Sequence, residues 1–169
     1  MSDKDFVKAY LEDFSALVKP NDQIVEKIIS AKNILIQAKK NNAKIMIFGN
    51  GGSAADAQHI AAEMSVKLKQ DRAPIPSISL SLDASAITAC GNDYGFDYIF
   101  SRQIEALGNK GDMTVGISTS GNSLNVLKAL TQARNMGMST IGLSGSEGGK
   151  MPEYCDVLLK IPSDNTARI

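Results

Sequence analysis

The sequence predicts an α/β protein: a three-layer αβα sandwich on a five-stranded parallel sheet, preceded by two helices. Two observations carry this prediction. Five short apolar runs rich in β-branched residues recur along the 169-residue chain, and each of the first four is followed by a helical pattern. Such alternation requires crossover connections, hence parallel strands covered on both faces. A chain of this length supports one domain, residues 1–169, with a core of its own.

Phe6, Tyr10, Phe14 and Leu17, then Ile24, Ile28, Ala31 and Leu35, recur at helical spacing on either side of the break Lys19-Pro20-Asn21-Asp22. They predict two opening amphipathic helices. The first strand is KIMIFG at 44–49, followed by the helical SAADAQHIAAEM; the second is PSISLSL at 76–82, followed by a helix around FDYIFSRQIEALG. DMTVGIS at 112–118 leads into SLNVLKALTQARNMG, STIGLSG at 139–145 into a short turn near Gly148 to Tyr154, and CDVLLKI at 155–161 is the fifth strand. Parallel sheets hold ligands at the carboxyl ends of their strands, where the strand order reverses. The loops leaving at Gly49, Leu82 and Ser118 are therefore the ones to inspect.

Composition excludes several classes. Lys and Arg balance Asp and Glu at 18 each, scattered rather than blocked, which argues against nucleic acid as a partner. No apolar run approaches the roughly 20 residues of a membrane span, and no signal-like start is present, so neither membrane insertion nor secretion is expected. Cys90 and Cys155 sit singly in apolar surroundings without metal-type spacing and read as small buried hydrophobes of a reduced, cytoplasmic protein.

Two strand-to-helix loops have the chemistry of an anion site. In Gly49-Asn50-Gly51-Gly52-Ser53, glycine permits positive φ and close backbone approach, and a helix start favours negative charge; a tight connection alone would also use such a turn. It lacks both the Gly-Lys-Ser/Thr of a P-loop and a complete G-x-G-x-x-G. Ser118-Thr119-Ser120-Gly121-Asn122-Ser123 packs four hydroxyls and a glycine into six positions. One hydroxyl would suffice for a helix N-cap. Four of them with free N–H groups suit a phosphate monoester held without lysine, as on a sugar phosphate.

His59, the only histidine, and Glu63 are four apart on the helix that leaves the glycine loop, so both side chains share a face whose first turns should line the site. A surface ion pair has the same spacing. Imidazole plus carboxylate also suits zinc, which needs about four ligands counting water or substrate.

GNGGSAADAQHIAAE, ACGNDYGFDYIFSRQ, GISTSGNSLNV and IPSDNTARI together resemble the sugar isomerase (SIS) domain family and, within it, the phosphoheptose isomerases, over nearly the whole chain. The resemblance implies a flavodoxin-like SIS fold. It implies aldose–ketose isomerisation of a heptose 7-phosphate through an enediolate, with zinc held by His59 and Glu63 and with Glu63 as the catalytic proton carrier. It assigns Asn50, Gly51, Gly52, Ser53, Glu63, Asn92 and Asp93 to the sugar, and Ser118, Thr119, Ser120 and Ser123 to the phosphate. By their own residue types Asn92-Asp93 before Tyr94-Gly95 read as ordinary turn chemistry. A homotetramer and a place in surface-polysaccharide synthesis are implied as well. The apolar stripes of the first two helices, outside the alternating core, agree with an oligomer. Against the resemblance, many members of that family carry Gly-Arg-Phe shortly after the helix glutamate where this chain has Val66-Lys67-Leu68, and lysine lacks the arginine fork.

The alternative reading is a non-catalytic SIS protein that binds sugar phosphates as a regulator, like the replication-initiator-associated members. Both readings use the hydroxyl loop; only the enzyme needs His59 and Glu63. Asp164-Asn165-Thr166 are good N-cap residues, so Ala167-Arg168-Ile169 predict the first turn of a further helix, from which the resemblance implies a glutamine and a second histidine to complete the metal site.

Overall fold

The computed structural model describes residues 1–169. Two helices open it, α1 (Asp3–Leu17) and α2 (Asp22–Lys40). Ser2 and Asp5 close a reciprocal capping box on α1, and the Asn21 side chain accepts from Ile24 N–H at 2.9 Å to start α2, which places the predicted break where the caps require it. There follow β1 (Ile45–Gly49), α3 (Gly52–Ser65), β2 (Ser77–Ser79), α4 (Ala84–Asp93), α5 (Ser101–Leu107), β3 (Met113–Ile117), α6 (Leu124–Asn135), β4 (Ser139–Ser144) and β5 (Val157–Lys160).

All five strands are parallel, in the order β2-β1-β3-β4-β5. β1 is buried at every position because helices cover both of its faces. Met46 and Phe48 point toward α5 and α6, where Phe100, Ile104, Val126 and Leu130 complete one core and the rings of Phe48 and Phe100 meet at 5.4 Å. Ile45 and Ile47 point the other way, to Ala38 of α2 and Ala57 and Ala61 of α3. The alternation of β1 thus builds two cores from one strand.

Three expectations need correction. β2 covers three residues rather than 76–82: Pro74 and Pro76 supply no N–H, and beyond Ser79 the chain turns, with Ser81 Oγ donating to Gly49 O at 3.2 Å. The region after β2 holds two helices, not one. Asp83 caps α4 by accepting from Ala86 N–H at 2.9 Å, and FDYIFSRQIEALG divides into a 3-10 turn at Phe96–Tyr98 and the short α5. Cys90 and Cys155 are half-buried against the core, and desolvation, aided by Asp156, pushes the Cys155 thiol up to about 12.

α1 buries none of its residues, and Phe6, Leu11 and Phe14 are exposed along it. α2 packs Ala31, Leu35 and Ala38 on the sheet while Val25, Ile28 and Ile29 remain outside. Near the chain end Thr166–Arg168 form a 3-10 turn with Asn165 accepting from Ala167 N–H, and Arg168 lies 4.4 Å over the Tyr10 ring, tying this turn to α1. No helix is long and apolar enough to cross a membrane.

Candidate active site

β1 and β3 are neighbours, and their connections leave in opposite directions across the sheet, so the strand order reverses between them. Gly49 is the register partner of Ile117. The glycine loop and the hydroxyl loop begin at the next residue on each strand, which sets Asn50–Ser53 and Ser118–Ser123 side by side.

Gly51 occupies the N-cap position of α3 at φ 56° and ψ −122°, a conformation open only to glycine, and an added Cβ there would meet nothing within 4 Å. The backbone at Gly51 and Gly52 is bare and faces open space. In the second loop Ser118 is buried, and its Oγ lies 2.9 Å from Ser123 Oγ. Ser123 holds the N-cap position of α6 yet makes no cap bond with its side chain; Asn125 Oδ1 accepts from the Val126 N–H instead, and the Leu124 and Asn125 N–H groups stay free. Ser120 Oγ accepts from Asn122 N–H at 3.1 Å, shaping the turn.

A third loop braces the second. Gly145 N–H donates to Thr119 O at 3.0 Å and Lys150 N–H to Gly121 O at 3.0 Å, and Gly148 O sits so close to Gly121 that a Cβ there would stand 2.0 Å from it. Nothing in local sequence spacing points to the Gly145–Lys150 loop as a support of the site. Nor does it point to Asn125, whose amide exchanges two hydrogen bonds with that of Asn50 at 2.9 and 2.8 Å.

The exposed His59 Nε2 stands 3.6 Å from Glu63 Oε1, too far for a hydrogen bond. Two donors each about 2.1 Å from a tetrahedral metal are separated by roughly 3.4 Å, close to this gap. Glu63 Oε2 is buried without a partner. The gap between Nε2 and Oε1, on a carboxylate whose other oxygen has no partner, fits a zinc ion. The chain supplies only this pair, since no group of three or more His, Cys, Asp or Glu side chains is gathered to hold a metal.

At 1.5 Å per residue along α3 His59 lies about 10 Å and Glu63 about 16 Å from Gly52, the latter in the last turn of the helix. His59 and Asp56 line a cleft of about 230 Å³ with Ile117, Leu143, Ser144 and Ile161 at the carboxyl ends of β3 to β5. The Arg72 guanidinium, also unread in the sequence, donates to Glu63 O at 2.6 Å and Met64 O at 2.9 Å, closing the end of α3. Lys67 pairs with Asp71, and no hydrogen bond joins it to either loop. Asn92 and Asp93 end α4 rather than forming a turn; both are exposed, bonded to each other at 2.8 Å, and no hydrogen bond joins them to either loop.

A model of the SIS domain family matches residues 9–145. The phosphoheptose isomerase of Aliarcobacter butzleri (strain RM4018) is 50% identical over 163 residues, 96% of this chain and 86% of that protein. That of Helicobacter pylori (strain P12) is 49% identical over 169 residues, 100% of this chain and 88% of the relative. Among solved structures, phosphoheptose isomerase GmhA from Neisseria gonorrhoeae superposes with a TM-score of 0.90 at 43% identity, covering 99% of this chain and 90% of that one.

Proposed function

The chain belongs to the SIS domain family as a sugar-phosphate isomerase, and on that premise we propose that it interconverts sedoheptulose 7-phosphate and D-glycero-D-manno-heptose 7-phosphate. The observation that carries the reading is the His59–Glu63 pair, with its unpartnered carboxylate oxygen, on the helix that leaves the glycine loop.

The reaction moves one proton between adjacent carbons. A base takes the proton from C1 of the ketose, the electron pair forms the C1–C2 double bond of an enediolate, and the C2 carbonyl oxygen takes the charge. The C1 hydroxyl then gives its proton to the C2 oxygen, and return of the carbon-bound proton to C2 leaves the carbonyl at C1 and a hydroxyl at C2. Glu63 carries this proton. His59 and Glu63 would hold zinc, which when bound supplies Lewis-acid polarisation of the carbonyl. Holding a metal weakens a carboxylate as a base, so the two roles of Glu63 compete.

Ser118, Thr119, Ser120 and Ser123 take the phosphate with the free N–H groups of α6; this suits a dianion without lysine. Asn50, Gly51, Gly52 and Ser53 face the carbon chain. Asn92 and Asp93 are assigned to the sugar through family membership alone.

The exposed stripe of α1 supports a homo-oligomer, which we take to be a tetramer. We place the enzyme in the cytoplasm, feeding heptose to surface polysaccharide. The test is ³¹P NMR of the purified protein with sedoheptulose 7-phosphate: the aldose phosphate forms, a chelator stops it, and zinc restores it. Binding of the sugar phosphate without turnover in zinc-replete protein would instead assign the chain to the regulatory members.

A further inference from the structure

Asn125 lies in the first turn of α6, directly after the hydroxyl loop, and its side chain reaches Asn50 of the glycine loop. Asn125 is 3% exposed. Its Oδ1 accepts from the Val126 N–H at 2.9 Å and from Asn50 Nδ2 at 2.9 Å, while its Nδ2 donates to Asn50 Oδ1 at 2.8 Å. The Val126 N–H can only donate, so it decides which end of the Asn125 amide is oxygen, and the orientation of Asn50 follows from that. Both acceptor sites of Asn125 and one of its N–H groups are then occupied. Asn50 keeps one N–H and one lone pair.

We propose that Asn125 is a positioning residue: it locks the Asn50 side chain and so joins the glycine loop after β1 to the hydroxyl loop after β3 as one rigid unit. The proposal rests on reading the two loops as the substrate site. It changes the expected role of Asn50, half of whose hydrogen-bonding capacity goes to the neighbouring loop rather than to sugar. Asn125 is buried, so without Asn50 its Nδ2 would be left unsatisfied, and without Asn125 the half-buried Asn50 side chain would lose both bonds that orient it. Its chemical purpose is register. One loop takes the phosphate and the other the carbon chain, and a shift of about 1 Å between them moves the reacting carbon away from its base.

The test is a double-mutant cycle of Asn50→Ala, Asn125→Ser and their combination, each checked by thermal unfolding. Serine at 125 keeps an oxygen for the Val126 N–H, so the variant folds. For sedoheptulose 7-phosphate we expect Asn125→Ser to lower kcat roughly 10- to 100-fold, with the Kd for inorganic phosphate changed less than about twofold. The double variant should lose no more than the worse single variant. Additive losses, or a wild-type kcat in Asn125→Ser, would overturn the proposal. If the wild-type protein does not turn over the heptose phosphate, the isomerase reading fails by itself. The coupling is then read from unfolding midpoints of the same cycle, where non-additivity supports the locked pair and additivity overturns it.

Discussion

Ser123 shows how a residue type is readable while its use is not. Serine before a helix reads as an N-cap, yet its hydroxyl turns to Ser118 Oγ at 2.9 Å and leaves the helix start open to a ligand. A hydrogen bond to a charged phosphate is worth about 1.5–3 kcal/mol. Ser123→Ala should therefore raise KM for the phosphorylated ketose by roughly 10- to 100-fold at nearly constant kcat, measured by steady-state kinetics. Glu63 fails in the opposite way. Glu63→Gln keeps the shape of the α3 flank and should fold normally, but kcat should fall by about 10² to 10⁴, since the proton carrier is gone. Zinc content of the purified variant, measured by elemental analysis, should fall with it.

At the scale of elements, the phosphate loop is held by its neighbours more than by its own sequence. Gly121 is at φ 66° with Gly148 O pressed against it, whereas Gly51, at φ 56°, faces open space. The two glycines separate strain from packing. Gly51→Ala should cost only its backbone conformation, of order 1–3 kcal/mol. Gly121→Ala must also push away the Gly145–Lys150 loop and should cost distinctly more, read as a larger drop in urea midpoint together with weakened phosphate binding. The same dependence on neighbours explains β2, which is short because prolines and the turn at Ser81 end its pairing.

Over the whole molecule the unpartnered surface is α1. Phe6, Leu11 and Phe14 are 57%, 59% and 49% exposed on a helix with no buried residue, an apolar stripe of the kind that marks a subunit interface. Leu11→Asp together with Phe14→Asp should convert a tetramer into smaller species by sedimentation equilibrium, with the sheet intact by circular dichroism. A wild-type monomer in the same experiment would remove the oligomer from the reading.

The sequence by itself determined the parallel sheet, the position of the two loops and the pairing of His59 with Glu63, because each is written in local periodicity or in residues a few positions apart. It also carried the family. Tertiary structure alone decided that Asn125 reaches Asn50 across 75 positions, that Gly148 presses on Gly121, and that Glu63 Oε2 is buried without a partner. It also split the segment after β2 into α4 and α5, because the single strong cap at Asp83 acts through a run of small residues with weak periodicity. Local spacing fixes which face of an element a residue occupies. What stands opposite that face depends on strand order and loop closure, which bring together residues whose separation in sequence leaves no pattern to read.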